Sequence, residues 1–124
     1  MEDISNIRVT ESNNAFLQRL VSDEGLFKDD KTAAVFAVSY AINNNLDLGI
    51  TDDYSLPSPT VNKWDSNSVD ASGALKLLVK IRHPDVTCPY RVIQAIMNIG
   101  LNSMRSICPE TGFVRISRFM QSVK

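Results

Sequence analysis

The sequence predicts an all-α protein: a compact bundle of about five helices around one central apolar helix, with one long irregular loop. Three observations support this fold class. Residues 33–42 are apolar at nine of ten positions, several other segments repeat apolar residues at helical spacing, and glycine or proline separates those segments. The 124 residues are the length of a single domain, so we assign residues 1–124 to one helical domain. The sequence allows residues 1–8 to be disordered.

Two helices are predicted in the first third of the chain. The first lies within residues 9–22, where Thr10 is a suitable N-cap and the apolar residues form a stripe at helical spacing. The second helix is predicted over residues 30–44, where Asp29 or Asp30 can cap the free N–H groups. Because this second helix is apolar around its whole circumference, we expect it to be buried on most sides and to form the centre of the core.

Residues 46–64 show no helical period and contain Gly49, Pro57 and Pro59, which predicts a long loop. A short extended piece is compatible with residues 60–64. Trp64 is the only tryptophan. Its two interpretations are an anchor that holds the loop on the core and a contact with a partner.

Two further helices are predicted after the loop. The first lies within residues 65–84, with Ser68 or Asp70 as its cap and Pro84 at its end. Its predicted core-facing residues are Ala71, Ala74, Leu75, Leu78, Val79 and Ile81. The second starts at Pro89, since proline is tolerated in the first turn. Gly100 lies on the apolar stripe of that helix, where glycine is unfavourable, so we expect a close helix crossing or a break there.

The last predicted element, residues 113–124, is ambiguous between a helix and a strand. Apolar residues at positions 113, 116, 120 and 123 fit a helix, whereas the alternation from Val114 to Ser117 fits a strand. We favour the helix.

Charge is divided unevenly along the chain. Residues 1–75 carry five basic and twelve acidic residues, a net charge of −7, and residues 76–124 carry eight basic and two acidic residues, a net charge of +6. Such a division can mark a surface for nucleic acid or an acidic partner. The alternative is that the two halves fold together and their charges mix in space.

No recognisable catalytic set is present in the sequence. His83 is the only histidine, and its position at a predicted helix end favours an interaction with the helix dipole over general-base catalysis. The acidic pairs at residues 29–30 and 52–53 fit caps and solvated surface better than a metal site. There is no phosphate-binding glycine loop. We therefore predict a non-enzymatic protein without a cofactor or a metal ion.

Two segments, "LFKDDKTAAVFAVSYAI" and "PYRVIQAIMNIGLNSM", resemble small helical proteins encoded beside bacterial DNA-modification and anti-phage defence systems. Examples are the small proteins associated with Dnd phosphorothioation and the middle components of multi-gene ATPase systems. The resemblance implies an accessory subunit that acts alongside a larger ATPase or nuclease. It carries over no catalytic residue, because neither segment contains one.

The leading functional hypothesis is an accessory or adaptor subunit of a larger bacterial complex, which binds its partner through an apolar and basic surface of the C-terminal half. The acidic, polar N-terminal residues are unlike a signal peptide, so we expect a cytoplasmic protein with no membrane partner. Self-association stays open. The candidate partner-binding or nucleic-acid-binding residues are Arg91, Arg105, Arg115, Arg118, Lys124 and Trp64.

Two alternatives belong to other classes of protein. A small DNA- or RNA-binding module would use the C-terminal arginines, although no helix-turn-helix or RNP-type signature supports it. A hydrolase or metal-dependent enzyme would need the acidic pairs to converge in space.

Overall fold

The computed structural model describes residues 2–23 and 25–108, and it shows that the all-α prediction is wrong. A two-stranded antiparallel sheet packs with the helices, so the fold is mixed α/β. Strand β1 is Asn6–Thr10 and strand β2 is Thr60–Asp65. β1 includes residues from the N-terminal segment for which the sequence suggested no element, and β2 occupies the end of the predicted long loop.

Three helical segments precede the loop. Helix α1, Glu11–Gln18, begins directly after β1, and the Thr10 hydroxyl accepts a hydrogen bond from the Asn13 N–H, as the sequence predicts. A π-helical turn, Arg19–Asp23, continues α1. Helix α2 is Asp30–Asn43, and Asp29 is its N-cap, accepting from the Thr32 N–H. Six residues of α2 are buried, which confirms its predicted central position.

Up to residue 108, where the described part of the chain ends, three helices follow β2. They are the single turn α3, Ser66–Val69, then α4, Ala74–Arg82, and finally α5, Pro89–Ile107. The predicted third helix is therefore two short helices, because Gly73 adopts a left-handed backbone conformation (φ 77°) between them. Pro89 starts α5 as predicted. The ambiguous segment, residues 113–124, lies outside the described residues.

The core lies where α2 crosses α5, with α1 and the sheet packed beside them. Ile7 and Val9 of β1 point into this core, while Asn6 and Arg8 are exposed and Thr10 is half-buried. Trp64, opposite Ile7 in the sheet, is half-buried against the core and under Lys63, whose Nζ lies 5.4 Å from the ring centre. Trp64 therefore anchors β2 on the core, which is one of the two roles that the sequence suggested for it.

The β1–β2 ribbon is attached to α5 by side-chain amides. Gln94 Oε1 accepts from the Arg8 N–H at 2.8 Å, and Asn98 accepts from the Thr10 N–H and donates to the Arg8 carbonyl, both at 3.0 Å. These side-chain amides form hydrogen bonds with the N–H and C=O groups of β1 that point away from β2. Within the described residues, no helix is both long enough and apolar enough to cross a membrane.

Candidate binding surface

Helix α4 is positioned at both of its ends by carboxylates from elsewhere in the chain. At its start, the Asp70 carboxylate accepts from the Leu75 N–H at 2.9 Å and from the Lys76 N–H at 3.0 Å. These bonds satisfy first-turn N–H groups that have no partner inside the helix. Asp70 is thus the cap that the sequence offered as an alternative to Ser68.

The other end of α4 is held by Asp47, whose side chain is completely buried. Arg82 donates to both carboxylate oxygens, from Nε at 2.7 Å and from a terminal nitrogen at 2.8 Å, and His83 Nε2 lies 2.7 Å from Oδ2. Burial acts to raise the pKa of Asp47, but the hydrogen bonds from Arg82 and His83 outweigh it and hold that pKa below its ordinary value. We call these three residues the Asp47 cluster.

The Asp47 cluster gives His83 a structural partner that the sequence did not reveal. Asp47 lies 35 residues before Arg82, in a stretch with no recognisable motif. Both carboxylate oxygens of Asp47 are engaged, so the arrangement attaches the loop after α2 to the end of α4. His83 also borders a depression of about 330 Å³, together with Asp52, Asp85 and Val86.

Two more carboxylates lie at the start of α5, and one of them, Asp52, also borders that depression. Asp52 accepts from the Thr87 N–H, the Thr87 hydroxyl and the Cys88 N–H at 2.8–3.2 Å, and these bonds lower its pKa. Asp3 accepts from the Tyr90 and Arg91 N–H groups, both at 3.0 Å. The two anions lie at the positive end of the helix dipole, so they fix the N-terminal segment and the loop onto α5.

The outward face of α4 is apolar, contrary to the prediction that its apolar residues face the core. Only Val79 is buried, and Leu75 is half-buried. Leu77 is 61% exposed, Leu78 38% and Ile81 69%, while Leu48, directly after Asp47, is 68% exposed. We call Leu77, Leu78 and Ile81 the α4 outer face.

The predicted partner-binding arginines do not form one cluster within the described residues. Arg91 and Arg105 are 14 residues apart on α5, a separation of about 21 Å along the helix axis. Arg91 Nε donates to the Glu2 carbonyl and Arg105 donates to Asn102. Arg115, Arg118 and Lys124 lie outside the described residues, so their role stays a prediction.

A larger depression, of about 510 Å³, lies between the start of α1, the Pro57–Pro59 loop and Arg105 near the end of α5. Its polar lining comes from surface side chains such as Glu11 and Ser12. Among the residues that the structure describes, no group of three His, Cys, Asp or Glu side chains is arranged to hold a metal ion. Of the two acidic pairs, at residues 29–30 and 52–53, Asp29 caps α2, and Asp52 binds the N–H groups of Thr87 and Cys88 directly before α5.

Comparison of the chain with protein-family models, with curated proteins and with solved structures finds no match.

Proposed function

We propose that this protein is a non-enzymatic, cytoplasmic accessory subunit that binds a larger protein of its host through the α4 outer face. The observation that supports the proposal is the exposure of Leu77 and Ile81 on a helix that is fixed at both ends. Exposed apolar side chains occur singly on most proteins, but three on two turns of one helix form a contiguous patch, which is typical of an interaction surface.

The rigidity of α4 also supports a binding role. A surface that is already ordered loses little conformational entropy when a partner binds. Asp70 and the Asp47 cluster hold the backbone of α4 at its two ends, and buried Val79 fixes its rotation on the core. The resemblance to accessory proteins of bacterial anti-phage systems suggests the setting, in which the partner is a larger ATPase or nuclease.

The test is affinity capture from the native host with the tagged protein and its Leu77→Ser/Ile81→Ser variant. We expect a stoichiometric partner that survives nuclease treatment, and we expect the variant to lose it. The matched control is Gln18→Ser/Asn43→Ser, two exposed positions on α1 and α2, which should retain the partner.

Folding of the variants is checked by circular dichroism, because both α4 positions are exposed and serine there should not unfold the protein. A partner that binds all three proteins equally would contradict the proposed surface. Absence of any stoichiometric partner would contradict the accessory-subunit function.

A further inference from the structure

Unlike an ordinary surface helix, α4 is apolar on two opposite sides. Successive residues are about 100° apart around a helix, so Leu75 and Val79 face one way while Leu77 and Ile81 face almost the opposite way. The inner side packs on the core. The outer side would normally carry polar residues, so its composition indicates that something covers it.

The charged residues of α4 itself are all positive. The sequence of α4, ALKLLVKIR, contains three basic residues and no acidic one. Arg82 is neutralised by Asp47, and the exposed Lys80 lies on the flank next to Leu77, one turn after the half-buried Lys76. Lys76 Nζ lies 5.9 Å from the centre of the Tyr90 ring, and Lys80 forms no ion pair with any described residue.

These charges argue against a second copy of the chain as the occupant. If two copies packed through α4, Lys76 and Lys80 of one would approach those of the other, and α4 has no acidic residue to compensate. Like charges brought together at an interface are unfavourable. The same reasoning argues against residues 109–124 of this chain, which carry three basic residues and one acidic residue.

A membrane surface also fits poorly. The apolar stripe covers only two turns of a nine-residue helix, which is short for stable interfacial binding.

We infer that the α4 outer face binds an amphipathic helix of the partner, with apolar residues facing Leu77 and Ile81 and with acidic residues facing Lys76 and Lys80. The inference rests on the proposed function and specifies the partner's chemistry. A helix suits a convex helical surface because its side-chain ridges pack into the grooves between those of α4. Acidic flanks supply the charge that α4 lacks and orient the bound helix.

The test uses two designed peptides of about 18 residues, or five helical turns. They share the same leucine positions, and one carries glutamate and the other lysine beside the apolar stripe. Fluorescence anisotropy with the full chain should show the glutamate peptide binding about tenfold more tightly. Raising the salt concentration should reduce that preference, because exposed charges are screened.

Variants of the protein test each part of the inference. Leu77→Ser/Ile81→Ser should abolish binding of both peptides, and Lys76→Glu/Lys80→Glu should reverse the preference between them. Equal binding of the two peptides, or a preference that survives the charge reversal, would overturn the inference. A peptide with the glutamate composition in scrambled order should not bind, and its equal binding would also overturn the inference.

Two measurements test the other occupants considered above, a second copy of the chain and a membrane. Concentration-dependent dimerisation in sedimentation that Ile81→Ser abolishes would overturn the inference in favour of a second copy. Cosedimentation with vesicles containing an anionic phospholipid, lost in Leu77→Ser/Ile81→Ser, would overturn it in favour of a membrane. If the host partner is lost in Leu77→Ser/Ile81→Ser but retained by Lys76→Glu/Lys80→Glu, the proposed function stands and the inference fails.

Discussion

At Gly100, helix α5 comes into close contact with the backbone of α2. α5 continues through it without a break, and a Cβ atom there would overlap the Ala37 carbonyl oxygen and lie 2.9 Å from the Ala37 carbonyl carbon. Of the two sequence predictions for this position, the close helix crossing is confirmed and the break is wrong. Glycine is required because the obstacle is backbone, which cannot move aside as a flexible side chain can.

Replacing Gly100 by alanine should therefore destabilise the protein. Alanine favours a helix over glycine by about 1 kcal/mol, but forcing α2 away from α5 in a close-packed core costs about 1–3 kcal/mol or more. Because the overlap is with backbone, the cost should exceed the gain, and we expect a net loss of about 1–2 kcal/mol in the free energy of unfolding, measured by urea denaturation. Asn102→Ala, on the exposed side of the same helix, is the control and should change stability by less than about 0.5 kcal/mol. A stabilised Gly100→Ala protein would contradict the crossing.

Prediction from sequence worked for residues whose role is local. Thr10, Asp29 and Pro89 act on helices that begin within three residues of them, so composition and spacing were enough to identify them. Asp47 and Asp3 bind groups 35 and 87 residues away. Nothing in their neighbouring sequence distinguishes them from solvated loop acids, so only the fold reveals them.

The same distinction, between features that depend on neighbouring residues and features that depend on distant ones, holds for whole helices and strands. α1, α2 and α5 follow from apolar spacing within one segment, but β1 depends on a partner strand more than 50 residues later. Its five residues alternate buried and exposed over too short a stretch to identify a strand alone. The orientation of α4 was missed for another reason. A helix that is apolar on two sides has a helical period, but the period does not show which side faces the core.

The β1–β2 ribbon should depend on α5, because two strands alone are marginally stable in water. Asn98 is buried and bonds Arg8, Thr10 and Asn13. Asn98→Leu keeps a similar volume but removes the side-chain partner of the Thr10 N–H and of the Arg8 carbonyl, at a cost of about 1–3 kcal/mol, while Asn13 keeps its bond to the backbone carbonyl of residue 98. We expect faster hydrogen exchange at the Thr10 amide and a matching loss of stability.

Gln94→Leu is the comparison for Asn98→Leu. Gln94 is half-buried and bonds the Arg8 N–H, which water can reach more easily, so the loss of stability should be smaller than for Asn98→Leu. Equal losses for the two variants would show that the ribbon is held by apolar packing of Ile7 and Val9 rather than by the Asn98 network.

At the scale of the whole molecule, the division of charge along the chain does not persist as two separate regions of charge. Among the described residues, carboxylates from the acidic half bind the basic half at four places: Asp70 at the start of α4, Asp47 at its end, and Asp52 and Asp3 at the start of α5. Within the described residues, the interpretation that the charges mix in space is therefore the better one. Lys76 and Lys80 form no ion pair with a described residue, so the net charge of a segment was a poor guide to the surface that we propose for binding.

Carboxylates whose pKa is lowered by folding make the protein sensitive to acid. The pKa values of Asp29, Asp47 and Asp52 are lowered in the folded protein from an ordinary value of 3.8. As the pH falls, the unfolded chain binds protons before the folded protein does. The stability that these groups contribute is therefore complete at pH values well above 3.8 and is lost as the pH falls through their lower folded values. We expect one cooperative unfolding transition, seen alike by near- and far-ultraviolet circular dichroism, because the bonds join distant parts of the chain.

Asp47→Asn isolates the contribution of the buried carboxylate to this acid sensitivity. Near neutral pH, the variant leaves Arg82 without its anion, and it should be less stable than the natural protein by about 3 kcal/mol, as for other broken buried ion pairs. The difference in the free energy of unfolding should shrink between pH 5 and pH 3, because the unfolded natural chain protonates Asp47 in this range and the variant has no such group to protonate. Denaturant titrations at both pH values measure it, with the exposed Asp85→Asn as a control that should match the natural protein near neutral pH. A difference that is as large at pH 3 as at pH 5 would mean that the Asp47 cluster stabilises the fold by shape and hydrogen bonding rather than by charge.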